Sequence, residues 1–101
     1  MALKPFDAAV VLTDDGARTA YAESALETGH PDHIAEALGD IARSIGMTKV
    51  AQETGLSRNA LYKSLRAGGN PTLATMSKVL AIVGLGLTVT ASAKLAEQEA
   101  A

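Results

Sequence analysis

Apolar positions recur at helical spacing along most of this chain, with glycine and proline dividing one run from the next. The clearest run is Ile34, Leu38, Ile41, Ala42 and Ile45, between Pro31 at a first helical position and Gly46. Spacing of i, i+4, i+7, i+8 and i+11 keeps one face apolar and predicts an amphipathic helix over 31–45. Upstream, Ala17, Tyr21, Ala25 and Leu26 repeat in the same way between the capping acids Asp14-Asp15 and Gly29, predicting a helix that ends near Thr28. Downstream, Thr48 is placed to cap a short helix to Thr54, Gly55 to turn the chain, and Ser57 to cap a helix to about Ala67. After the loop Gly68-Gly69-Asn70-Pro71, Thr72 opens a last helix carrying Leu73, Met76, Val79, Leu80 and Val83, which Gly84 stops.

Two stretches follow other rules. Leu85, Leu87, Val89 and Ala91 alternate with Gly86, Thr88 and Thr90, which predicts a short strand. A lone strand leaves its backbone groups unpaired, so it needs residues 8–12 of the same chain or its own twin across a dimer. Residues 8–11, after Asp7, read either as one helical turn or as a short strand. The expected fold is therefore mainly all-α, a compact bundle of about five helices containing a helix-turn-helix, with a short C-terminal β-strand. Residues 1–91 form a single domain in this reading, 1–29 being an acidic N-terminal extension, and 92–101 a tail.

Composition narrows the picture. A chain of 101 residues with 48% hydrophobic content suffices for one compact core, and the scarcity of aromatics (Phe6, Tyr21, Tyr62) suits closely packed helices. With no cysteine, disulfides, thiolate metal sites and a cysteine nucleophile are excluded. No signal-type apolar segment or run of 18 apolar residues occurs, so a cytoplasmic protein with no membrane partner is expected. The net charge of −2 conceals a split. Residues 1–42 carry eight acids (Asp7, Asp14, Asp15, Glu23, Glu27, Asp32, Glu36, Asp40) against Lys4 and Arg18; residues 43–101 carry seven bases against three acids. Either the halves face different partners or the acidic half is a solvated surface.

The basic half contains the segment that carries chemistry. In Met47–Arg66, Ala51 is small where two helices would cross, Gly55 allows a positive φ at the turn, and Val50, Leu56 and Leu61 would fill the wedge. At 100° per residue the second helix sets Ala60, Leu61, Ser64 and Leu65 on one arc and Arg58, Asn59, Tyr62, Lys63 and Arg66 on the other. The outer arc has bases, an amide and a phenol, and no acid. In a major groove Arg58 could pair with guanine and Asn59 with adenine, while Lys63 and Arg66 would meet phosphates, and Ser57, Thr48 and Lys49 would lie near the backbone. Tyr62 could bond a phosphate or simply cover the wedge.

The ordered blocks Tyr21 through Leu26, Gly29-His30-Pro31 with Ile34, Ala37-Leu38-Gly39-Asp40-Ile41-Ala42-Arg43, Gly46-Met47, Ala51, Glu53-Thr54-Gly55-Leu56-Ser57-Arg58, Leu61-Tyr62-Lys63, Gly69-Asn70-Pro71 and Val79-Leu80 resemble the addiction-module antidote family. These are HigA-like antitoxins with a Cro/repressor-type helix-turn-helix, and the resemblance spans about residues 5–89. It implies a dimeric antitoxin that binds a RelE/ParE-type toxin and represses its own operon. His30 stands where the family usually has Asp before Pro, and Arg66-Ala67-Gly68 where it has small polar and acidic residues.

Other constellations give less. His30, Asp32 and His33 sit at one exposed helix start with no fourth ligand, and Asp14-Asp15 read as capping acids. Gly84-Leu85-Gly86 lacks the third glycine of a dinucleotide loop. No nucleophile and base stand out, so no enzyme, cofactor or metal is expected. The expected function is a DNA-binding antitoxin; a free-standing prophage-type repressor and a toxin-neutralising module without DNA binding are the alternatives.

Overall fold

The computed structural model describes residues 7–91, in which six helices follow one another: α1 (Ala8–Val11), α2 (Asp15–Glu27), α3 (Pro31–Ile45), α4 (Met47–Thr54), α5 (Arg58–Ser64) and α6 (Leu73–Ile82). Polar side chains start four of them. Asp7, Asp14, Ser57 and Thr72 accept hydrogen bonds from the amides of Ala9 (3.1 Å), Ala17 (2.7 Å), Ala60 (3.0 Å) and Thr75 (3.0 Å). Each bond satisfies an amide that has no partner within the helix, worth about 1 kcal/mol. α4 is different: it starts at Met47 without a side-chain cap, and Thr48, expected to be the cap, lies in its exposed first turn. The Gly46 amide closes α3 on the Ala42 carbonyl (2.9 Å) while the Gly46 carbonyl accepts from Val50 (3.0 Å). One residue ends one helix and opens the next, leaving no position for a separate cap.

α3 is the central element. α1 and α2 pack chiefly on it, and α4, α5 and α6 pack on it too, with α4 also touching α5 and α6. Its buried residues, Ala35, Ala37, Leu38, Gly39, Asp40, Ile41 and Ala42, therefore run around most of its circumference rather than along one stripe. Leu38, Ile41, Val50, Leu61, Val79 and Leu80 are the largest fully buried side chains. Burying each contributes about 1.5–3 kcal/mol relative to exposure. Gly39 permits the closest approach: a Cβ there would stand 2.2 Å from the Leu65 carbonyl oxygen.

Two expectations change at the C-terminal ends of helices. α5 ends at Ser64 rather than near Ala67 because Leu65 leaves the helical conformation (φ −93°, ψ 61°) to bury itself beside Gly39. The predicted strand at 85–91 is absent: no strand occurs among the described residues. Residues 8–11, its possible partner in the chain, are the helical turn α1, and alternation alone cannot form a ladder without a second edge. α6 instead finishes in a Schellman turn, with the Gly84 amide on Ala81 O (3.0 Å) and the Leu85 amide on Leu80 O (2.9 Å). Leu85 packs against the core; Leu87 and Val89 do not. Phe6 and the tail 92–101 lie outside the described residues.

Gly39→Ala is expected to lower stability by about 1–3 kcal/mol in a urea melt, because the methyl group meets backbone that cannot yield without moving α5. A wild-type midpoint would show that α3 and the end of α5 are not in contact.

Candidate nucleic-acid interface

α4 and α5 meet at a turn that the backbone and one hydroxyl hold in place. Gly55 sits in the left-handed region (φ 75°), which a Cβ would strain, and its amide bonds Ala51 O at 3.0 Å. Buried Thr54 donates its hydroxyl to Val50 O (2.7 Å) and accepts from the Leu56 amide (3.3 Å). Val50 and Leu61 are fully buried in the wedge, with Ala51 and Leu56 half-buried beside them. The expected helix, tight turn and helix are all present.

Ser57, Arg58, Asn59, Tyr62 and Lys63 are exposed on α5 and its cap, as are Thr48 and Lys49 in the first turn of α4. Arg66 is exposed as well, but it lies beyond the end of α5, its Nε donating to Lys63 O at 3.2 Å. Ala60, expected to face inward, is exposed, since a seven-residue helix anchors itself through Leu61 and the following Leu65. The Arg58 guanidinium stands over the Tyr62 ring, 6.0 Å from its centre. Exposed contacts of this kind give about 0.5–1 kcal/mol, enough to bias the arginine's direction. Tyr62 is 47% exposed and also lines a groove of about 200 Å³ with Met47, Leu61 and Leu65, flanked by Glu36 and Arg66. Packing and exposure thus hold for the same ring. Among the described residues, Lys49, Arg58, Lys63 and Arg66 form no ion pair. Their charge is therefore unspent, and this face can meet a polyanion.

Around α3 two groups of acids differ in their surroundings. Asp40 is buried and accepts from the Tyr21 hydroxyl (2.6 Å) and from Arg43, whose other amino group bonds Asp7 at 3.1 Å. One guanidinium thus ties the cap of α1 to α3, and one phenol ties α2 to it. Burial, then the hydrogen bond to Asp40, push the Tyr21 phenol well above its usual range. Burial works against the Arg43 charge, but its bonds to Asp40 and Asp7 outweigh that and raise its pKa. Arg18 also turns inward, bonding Ser44 Oγ (2.9 Å) and Asp15 (3.0 Å), with 14% of its side chain exposed. Asp14, Asp15, Glu23 and Glu27 remain on the solvent side of α2. The sequence reading counted Asp7 and Asp40 among the eight acids of the N-terminal half without separating them from the exposed ones; for Asp40 the three-residue spacing to Arg43 was the available signal, and for Asp7, thirty-six residues away, there was none.

His30 and His33 stack at 4.4 Å between ring centres, and no metal-binding group of three or more His, Cys, Asp or Glu exists among the described residues. No helix among them is long and apolar enough to cross a membrane.

The molecule is thus a small helical protein with an exposed cationic helix on one side of α3 and an acidic helix on another. Residues 2–91 match the family described as "probable addiction module antidote protein", and the chain belongs to that family. It is also 41% identical over 87 residues to an uncharacterized protein of Haemophilus influenzae, across 86% of this chain and 90% of the relative. No solved structure matches it. An antidote family implies a toxin as partner.

The Tyr21, Asp40 and Arg43 cluster makes a prediction of its own. The phenol ionises near 10.0 when unperturbed and at higher pH in the fold. Unfolding therefore releases a proton above about pH 10, so this contribution is complete below that pH and declines as pH rises. Tyr21→Phe should cost about 0.5–1.5 kcal/mol at neutral pH and flatten the loss of stability above pH 10, read from urea midpoints. An unchanged alkaline slope would contradict the assignment.

Proposed function

We propose that this protein is the antitoxin of a type II toxin–antitoxin module, binding its own operator through α4 and α5 as a homodimer and holding a RelE/ParE-type toxin through the acidic α1–α2 side. The observation that carries the DNA reading is the outer face of α5: Arg58, Asn59, Tyr62 and Lys63 exposed together, free of acids and of ion pairs among the described residues. Arg58 and Asn59, in the first turn of α5, are suited to base edges in the major groove. Lys63, Arg66, Lys49, Thr48 and Ser57 are suited to the flanking phosphates, which fix register without reading sequence. Repression of the operon follows from occupying the promoter.

The toxin reading rests on family membership and on charge. With Arg18 turned inward, the solvent side of α2 presents Asp14, Asp15, Glu23 and Glu27, beside exposed Val10 and Val11 on α1. Opposed charge speeds encounter with a basic partner, and apolar contact supplies most of the affinity.

In a fluorescence-anisotropy titration with its own promoter fragment, Arg58→Ala and Asn59→Ala should each cost about 1–3 kcal/mol and relax base preference, while Lys63→Ala should weaken all sequences alike and flatten the salt dependence. Unchanged affinity in both Arg58→Ala and Asn59→Ala contradicts the placement of α5. Reversing Asp14, Asp15, Glu23 and Glu27 to Lys should slow capture of the adjacent gene's product, most at low salt, and leave operator binding intact. Loss of operator binding with normal capture would overturn the division between the two sides.

A further inference from the structure

Tyr62 combines two properties on the outer side of α5. Its ring lines a groove with Met47, Leu61 and Leu65, all three buried, so the ring is seated on the core. Nearly half of the residue is nonetheless exposed (47%), and the Arg58 guanidinium stands over the ring, 6.0 Å from its centre. The two residues are four apart, the spacing that brings side chains of successive helical turns together. Among the described residues Arg58 has no ion pair, and α5 has no acid in its first turn, so the ring is the contact that directs the arginine. The Tyr62 hydroxyl forms no hydrogen bond among the described residues. What fixes the ring is therefore apolar packing, which a phenylalanine would share.

We propose that Tyr62 is a positioning residue for Arg58: its ring holds the guanidinium in the direction from which Arg58 meets one base pair, and its hydroxyl takes no part in phosphate binding. This rests on the DNA reading of α5 above and specifies how that face gains selectivity. Bidentate pairing with guanine requires both the plane and the direction of the guanidinium to be set. An exposed arginine at the first residue of a short helix has many rotamers, and freezing them on binding lowers affinity. The ring removes part of that freedom beforehand. The gain falls on the base pair that Arg58 reads, and not on the phosphate contacts of Lys49, Lys63 or Arg66.

Two measurements separate this role from simple packing and from a phosphate contact. In the free protein, nuclear relaxation of the Arg58 Nε–Hε group should show restricted motion in the wild type and in Tyr62→Phe, and free motion in Tyr62→Leu. An Arg58 side chain as mobile in the wild type as in Tyr62→Leu overturns the proposal with no DNA present. Anisotropy titrations then use the protein's own promoter fragment and single base-pair substitutions of it. Arg58→Ala identifies the base pair whose preference the arginine carries. At that base pair Tyr62→Leu should lower the preference about two- to fivefold, with the preference carried by Asn59 unchanged. Tyr62→Phe should restore it, and Tyr62→Leu should add nothing in the Arg58→Ala background. Equal weakening on every fragment in both Tyr62→Phe and Tyr62→Leu would make the hydroxyl a phosphate contact and overturn the positioning role. Unchanged preference in Tyr62→Leu overturns it too, and both results leave the DNA reading standing. If Arg58→Ala alters no preference, the placement of α5 fails and the proposal fails with it.

Discussion

Helix α3 is covered by α1 and α2 and also by α4, α5 and α6, and a helix covered that widely has to be narrow. Ala35, Ala37, Gly39 and Ala42 meet the requirement, and at Gly39 the approach is close enough that a single methyl group would collide with the Leu65 carbonyl. That contact sets where α5 ends, because Leu65 must turn off the helix axis to reach it. The end of the helix at the candidate interface is thus tied to the absence of a side chain on another helix.

The same wide coverage forces polar groups inside to be paired. Asp40 lies on α3 where solvent cannot reach it, and a buried carboxylate without partners would cost several kcal/mol, about 3–5 by comparison with broken buried pairs. Tyr21 and Arg43 supply the partners, and Arg43 reaches on to Asp7. The outcome is a division of charge. Bonds among Asp7, Asp40 and Arg43, and the inward turn of Arg18, leave Asp14, Asp15, Glu23 and Glu27 exposed along α2 and Lys49, Arg58, Lys63 and Arg66 exposed on and just after α4 and α5, with Glu53 an exposed acid at the far end of α4. On this account α3 acts as a spacer between a side suited to a cationic protein and a side suited to phosphates.

Much of this was legible in the residues because it is local. Asp14, Ser57 and Thr72 cap the helices they were expected to cap, Gly55 turns as its lack of a Cβ allows, and the stripe from Ile34 to Ile45 marks α3. What was hidden depends on neighbours distant in sequence. The i,i+3 spacing of Asp40 to Arg43 suits a surface pair as well as a buried one, and only Tyr21, nineteen residues earlier, and the packed helices around it make Asp40 an interior acid. Arg66 falls off the helical wheel because Leu65 answers to Gly39, twenty-six residues earlier. The alternation of 85–91 was read correctly as a pattern but not as an element, since a strand is completed by its partner.

The central claim is that the α4–α5 face, and not the acidic side, meets DNA. Amide chemical-shift mapping of the labelled protein during titration with its own promoter fragment tests this most directly. The account predicts perturbations concentrated at Thr48, Lys49 and residues 57–63 with Arg66, weakening as salt is raised, and little change along the outer side of α2. Perturbations centred on Glu23 and Glu27, or none at Arg58 and Asn59 at saturating DNA, would contradict it.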